Sequence, residues 1–395
     1  MLSQRQLFLN HLAPTSPTPL ELEVQRAQGV FLYGVDGRRY IDLVSGVSVS
    51  NLGHCHPAIV DAVCQQAQRY MHLMVYGEYI QSPQVALARR LAELLPPQLS
   101  CTYLVNSGSE AVEGAIKLAK RATGLHKVIA FRNAYHGSTH GALSLMGHEP
   151  SKRAFRPLVP GVTHIDFNSP NQLQLIDKGT ACVVIEPVQA EAGVIVPQTG
   201  FLQELRERCT QQGCLLVLDE IQTGMGRTGM LFAFERYGIV PDILLLAKAL
   251  GGGMPIGAFV ASKELMRCLS YSPTLGHITT FGGHPVSCAA ALASLGIITG
   301  QDVIGGVHGK EQLFRELLQE HPSVRTIRSS GLLMALEMES FDRVQRVQRL
   351  ALDKGAVTDW FLFCNTALRI APPLTITEEE IREACGIILS ALDHC

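Results

Sequence analysis

Five short, uninterrupted apolar runs dominate the middle of this chain: Tyr103 to Val105, Val128 to Phe131, Cys182 to Ile185, Leu215 to Leu218 and Ile243 to Leu246. Each is too short to be a whole helix, and Gly, Pro or charged residues bound it. A run with no polar face has nothing to offer water, so such a strand must be covered on both sides. Helical patterns separate the runs. After Val105, for example, Val112, Ala115, Ile116 and Ala119 fall at helical spacing, with Ser109 expected as the cap. Alternation of this kind predicts an α/β fold with a mainly parallel central sheet across residues 50 to 290.

The two ends read differently. Phe31 to Asp42 carries a V-D-G-R-R-Y turn between two strand candidates, the mark of a hairpin. Beyond Gly300, helical stretches flank strand candidates at Leu332 to Met338 and Leu368 to Ala371. The organisation expected is an arm and part of a small domain in 1–50, a large domain in 51–295, and a C-terminal small domain in 296–395. The small domain would be α+β and built from both ends. Pro14 to Pro19 reads as an extended arm.

At 395 residues the chain is too long for one compact core. Its 17% charged residues are few enough that part of the surface is expected to lie in an oligomer interface. A formal net charge of −2 gives no reason to expect nucleic acid or an anionic membrane as partner. Eleven cysteines without a C-x-x-C pair fit reduced thiols, and no signal-peptide pattern opens the chain, so a cytoplasmic location is expected. Cys209 and Cys214 fit a helix end and a strand start. His54-Cys55-His56 are adjacent on a turn and cannot easily converge on one ion, so no metal is expected.

In sheets of this kind ligands sit at the C-terminal ends of the strands. The polar residues that end the apolar runs are Asn106-Ser107-Gly108-Ser109, Glu186, Asp219-Glu220 and Lys248. Gly108 and Ser109, between strand and helix, read either as a capped turn or as an anion cradle with free N–H groups. Lys248 reads either as a snorkelling lysine or as a buried amine in covalent use, since an unpaired lysine inside is costly. Asp219 either caps a turn or faces a protonated ring nitrogen. Taken together, a phosphate cradle, an anion facing a heterocycle and an imine-forming amine describe the needs of pyridoxal phosphate.

The segment L-V-L-D-E-I-Q-T-G-M-G-R-T-G, Leu216 to Gly229, resembles the signature of the class III aminotransferases, members of the fold type I pyridoxal-phosphate enzymes. The likeness continues in order along nearly the whole chain. It takes in S-G-V-S-V-S-N-L-G-H-C-H-P near residue 50, N-S-G-S-E-A at Asn106, A-Y-H-G at Ala134 and E-P-V-Q-A-E-A-G at Glu186. It closes with A-K-A-L-G-G-G-M-P-I-G-A around Lys248, T-T-F-G-G-H-P near Thr280 and L-R-I-A-P-P-L near Arg369. The resemblance implies that Lys248 joins the cofactor as a Schiff base and shuttles the substrate proton, while Asp219 pairs with the ring nitrogen. It implies that Tyr135 stacks on the ring with His136 beside it, that Glu186 belongs to the cofactor site, and that Gln222 lies near the ring hydroxyl. Gly108 and Ser109 would bind phosphate, joined by Thr280 from a neighbouring subunit, making a homodimer the smallest active unit. A ping-pong exchange between an amino donor and a 2-oxo acid acceptor follows.

For substrate, Arg369 matches the family arginine that takes a carboxylate. Glu191 matches the glutamate that pairs with it in ornithine-type members and can swing aside. Tyr76 and Tyr79 are candidates for the pocket entrance. Acetylornithine, ornithine and 4-aminobutyrate members usually carry a second arginine where this chain has Ser138, which leaves simple ω-amines, β-amino acids and amino ketones open. The expected donor is an ω-amino acid or amine. Competing readings are a decarboxylase or racemase of the same fold, a catalytically silent scaffold, and a nicotinamide-dependent oxidoreductase. The last would use Gly251 to Gly253, but these glycines precede a strand-like Ile256 to Val260 rather than a helix.

Overall fold

The computed structural model describes residues 2–395. At the N-terminal end β1 (Val24–Gln28), β2 (Phe31–Gly34) and β3 (Arg39–Asp42) form an antiparallel meander, and β2–β3 is the expected hairpin. The central sheet holds β4 (Cys101–Val105), β5 (Lys127–Phe131), β6 (Val162–Ile165), β7 (Thr180–Ile185), β8 (Leu215–Asp219), β9 (Ile243–Ala247) and β10 (Gly257–Ala261). Their order across the sheet is β4-β10-β9-β8-β7-β5-β6. Only β10 runs against its neighbours β4 and β9; the other pairings are parallel.

Side chains along each strand alternate between two cores, as a pleated strand requires. Val128, Ala130, Cys182, Val184, Val217, Leu245 and Phe259 join one core with the helix Gly108–Thr123. Ile129, Phe131, Val183, Ile185, Leu216, Leu218 and Leu246 join the other, with helices Pro57–Arg69, Ser82–Leu94, Phe201–Gln212 and Pro285–Gly300. Both faces are covered, which is why the runs carry no polar residue. β6 escaped the sequence reading because Val162, Thr163 and His164 at the sheet's edge are only half-buried.

Towards the C-terminus, β11 (Thr326–Ser329), β12 (Met334–Glu337), β14 (Asp359–Phe361) and β15 (Cys364–Ile370) make an antiparallel sheet in the order β11-β12-β15-β14. The short β13 (Ala356–Val357) leaves it and pairs in parallel with β3, joining the two ends of the chain in one sheet. Helices Phe341–Lys354 and Glu378–Asp393 pack on these strands, and Val307–Leu318 packs on Glu378–Asp393. Among the described residues no helix is long and apolar enough to cross a membrane. His54 points its Nε2 to Asp42 Oδ2 at 2.8 Å.

Arg227 ties three parts of the chain together. It is fully buried; its Nη1 donates to the carbonyls of Leu332 and Pro372 at 2.8 and 2.6 Å, and its Nη2 donates to Asn51 Oδ1. Burial pulls the guanidinium down to about 9, with Asp42 working against the shift. Replacing Arg227 with Met, of similar length, strands three buried acceptors. The expected cost is about 3 kcal/mol, read as a lower urea midpoint; an unchanged midpoint would refute the tie.

Candidate active site

The carboxyl-terminal edge of the sheet opens into a cavity of about 420 Å³. Asn106, Gly108, Ser109, Tyr135, His136, Glu186, Asp219, Gln222 and Lys248 all line it. Adjacent strands set this arrangement: β9 delivers Lys248, β8 delivers Asp219 and β7 delivers Glu186.

Lys248 leaves β9 at φ +47°, a conformation that costs a non-glycine residue on the order of 1–2 kcal/mol. Its Nζ donates to Gln222 Oε1 at 3.0 Å. Burial lowers its pKa, against the raising pull of Glu191. Asp219 is held on both oxygens. Oδ1 accepts from the Ile221 amide at 3.0 Å, and Oδ2 meets His136 Nδ1 at 2.7 Å. Burial would lower the His136 pKa, but hydrogen bonding and charge from Asp219 outweigh it and raise it. Glu186 accepts from the Tyr135 amide at 3.2 Å, and burial pushes its carboxyl up to about 8, with His136 pulling the other way.

The cap of the helix Gly108–Thr123 is Ser107, not Ser109: its Oγ accepts from the Glu110 amide. That shift leaves Gly108 and Ser109 inside the first turn, where amides have no intrahelical acceptor. Gly257, at the start of β10, lets this loop come close, since a Cβ there would sit 2.2 Å from the Ser107 carbonyl oxygen. Glu220 does not join the site although it follows Asp219. Its carboxylate turns to the amides of Ala233 and Phe234 at 2.6 and 2.7 Å. Successive residues leaving a strand point to opposite sides, so one acid reaches the cavity and the other caps a turn.

Arg369 and Glu191 form a buried two-pronged pair, Nη1 to Oε1 and Nη2 to Oε2, both at 2.9 Å. Asp359 adds a second carboxylate, accepting from Arg369 Nε at 2.8 Å. Sequence reading missed it because the contact runs across the β14–β15 ladder, where Asp359 and Arg369 are register partners. Val49, Thr223, Met254 and Pro255 also line the cavity without having been singled out. Val49 follows a loop in which Ser45, Val47 and Ser48 all have positive φ; hydrophobic periodicity carries no trace of such a bend. Ser138 faces Tyr135, hydroxyl to hydroxyl at 3.4 Å. Within this chain Tyr76 and Thr280 lie apart from the cavity, and Arg369 and Glu191 do not line it either, although their charges reach Lys248. Tyr76 lines a separate depression with Tyr79 and Thr279, and Thr280 is exposed. Thr279 Oγ1 accepts from Asn106 Nδ2 at 2.8 Å, linking that segment to the loop before Ser107.

A half-buried lysine and a braced aspartate lining one cavity, beside an open helix start, fit a site for an aldehyde cofactor that carries a phosphate. The solved ornithine aminotransferase of Toxoplasma gondii, described with partial occupancy of PLP at its active site, superposes with a TM-score of 0.91. It is 31% identical, and the match covers 98% of this chain and 92% of that one. Residues 12–392 match the family Aminotransferase class-III, and the chain belongs to it. The acetylornithine aminotransferase of Methanopyrus kandleri is 42% identical over 367 residues, 92% of each protein. Ornithine aminotransferase 1 of Staphylococcus aureus is 37% identical, covering 92% of this chain and 93% of the relative.

The cofactor of the family is pyridoxal 5′-phosphate, and the residues fit it. Nε2 of His136 and Nε2 of Gln222 are buried without a protein partner. At Gly137, φ +124°, a Cβ would lie 2.1 Å from Ser109 Oγ, so this side of the cradle requires glycine, and at Gly108 a Cβ would crowd the Ile221 side chain at 2.9 Å.

The raised Glu186 has a direct consequence. Between its ordinary value of 4.5 and about 8, the folded protein holds a proton that the unfolded chain releases, so stability falls as pH rises through that window. Urea unfolding of cofactor-free protein at pH 5.5 and 8.5 should show a steeper loss for the parent than for Glu186→Gln. The expected difference is about 1–3 kcal/mol. Glu220 is also pushed up to about 8 by burial, but it is common to both proteins and cancels. Equal losses would mean that Glu186 is ionised at no cost.

Proposed function

We propose that this enzyme moves an amino group from an ω-amino acid or amine to a 2-oxo acid in two half-reactions through Lys248. Asp219, braced by His136, would keep the ring nitrogen of pyridoxal phosphate protonated, and Gln222 would lie by its hydroxyl. Gly108 and Ser109 would hold the phosphate, Glu186 would steady the Tyr135 segment against the ring, and the partner copy would add Thr280. When bound, the protonated cofactor supplies an electron sink for the charge left at the substrate carbon.

The protein's own contribution is placement and proton handling. Lys248 Nζ, its pKa lowered by burial, is suited to take a proton from the substrate carbon and return it. Gln222 Oε1 steers that amine.

The substrate reading rests on one observation: Arg369 is closed by Glu191 with both prongs satisfied. A closed pair suits a donor with no carboxylate at that point. Displacement of Glu191 would expose a fork shaped for the planar carboxylate of the acceptor. Names among the relatives, acetylornithine and ornithine aminotransferase, support donors with a terminal amine. Ser138 supplies no fixed cation for a second carboxylate. The same reading makes the active unit a cytoplasmic homodimer and divides the chain at residues 50 and 295. Exposed Ile80, Tyr79, Phe281 and Ile278 support the pairing, since apolar surface of this kind is normally covered.

Lys248→Ala should lose at least about 10³-fold in turnover. Borohydride followed by peptide mapping should tag the peptide holding residue 248 in the parent only. Turnover near the parent rate in the variant would end the assignment. Ser138→Arg should improve kcat/KM for donors bearing an α-carboxylate by about tenfold, near 1.4 kcal/mol. An unaltered preference would show that this position does not select the donor.

A further inference from the structure

Arg369 is held by more than its expected partner. Glu191 occupies the Nη1–Nη2 end of the guanidinium. Asp359 occupies Nε at 2.8 Å, the Trp360 carbonyl accepts from Nη2 at 3.2 Å, and the Phe361 ring lies against one face, 4.5 Å from the guanidinium carbon. Asp359, Trp360 and Phe361 are all on β14, and Asp359 is the residue directly across the ladder from Arg369 on β15. The two sets of partners therefore differ in what carries them. Glu191 sits on the loop after β7, and besides Arg369 its carboxylate holds only the Leu362 amide, at 3.1 Å. Asp359 is fixed by strand pairing.

We infer that Asp359 is a positioning residue for carboxylate recognition: it clamps the Nε edge of Arg369, so that the Nη1–Nη2 fork stays aimed when Glu191 gives way to the acceptor's carboxylate. This rests on the reading that Arg369 receives that carboxylate. A guanidinium without the clamp would turn about its last side-chain bonds and follow Glu191, and each substrate molecule would have to re-order it. With the clamp, the incoming carboxylate replaces Glu191 one for one, and the charge around Arg369 is the same before and after. The clamp leaves donors without a carboxylate untouched, since they never engage the fork.

The test separates the two half-reactions in the cofactor-loaded enzyme. One is the rate with a simple primary amine as donor; the other is the KM for 2-oxoglutarate as acceptor. Asp359→Ala is expected to raise the 2-oxoglutarate KM about tenfold while changing the amine half-reaction less than twofold. Asp359→Asn, whose side-chain oxygen still accepts from Nε, should stay within about twofold of the parent in both. Asp359→Glu, which keeps the charge but displaces the acceptor, should behave like the alanine variant and carries the test if that protein does not fold. The inference is overturned if Asp359→Ala and Asp359→Glu leave the acceptor KM unchanged, if Asp359→Asn is as impaired as they are, or if both half-reactions fall together. Arg369→Gln distinguishes the layers. If it raises the acceptor KM and the Asp359 variants do not, only the clamp is wrong. If it leaves that KM unchanged, the carboxylate reading fails and the clamp falls with it.

Discussion

An ammonium at the end of a buried strand costs several kcal/mol unless its surroundings compensate, and the parallel part of the central sheet brings the compensating groups to one edge. Lys248 can occupy its place because Glu191, on the loop after β7, and Asp219, at the end of β8, offset part of that cost from neighbouring strands. The charges are balanced across strands rather than along the chain. Balance across strands needs a parallel sheet, in which like ends lie side by side. The same burial that makes the lysine costly lowers its proton affinity, which a proton-carrying amine requires.

Much of this was legible in the residues. Continuous apolar runs could only be strands covered on both faces, and the two cores on either side of the sheet account for that continuity. Lys248, Asp219 and Glu186 were legible because they stand where those runs stop. What stayed hidden depended on direction or on contacts distant in sequence. Glu220 looks equivalent to Asp219 in sequence, yet it points to the other side. Ser107 and Ser109 offer the same hydroxyl, and only the start of the helix decides which one caps it. The bracing of Asp219 by His136 joins positions 83 residues apart, and no local pattern announces it. Asp359 is visible as a partner of Arg369 only once the register of a hairpin is known.

The surroundings of Arg369 are divided between strand-borne and loop-borne groups. Strand-borne groups surround the Arg369 guanidinium on one edge and one face, while a loop-borne acid occupies the remaining end. Beyond it Phe363 lies between Tyr135 and His148, with ring centroids 6.5 and 4.7 Å away, so the tip of the β14–β15 hairpin reaches the cavity's rim. The hairpin thus carries the Asp359–Arg369 pair and also reaches Tyr135, which lines the cavity.

The pairing of β13 with β3 joins segments more than 300 residues apart. Closing so large a loop carries an entropic cost that no local contact repays. The meander at the front of the chain must therefore wait, with one edge unpaired, until nearly all of the polypeptide has been synthesised. During that interval the exposed strand edge is open to the wrong neighbour, and the last strands to emerge from the ribosome decide whether the first ones are rescued.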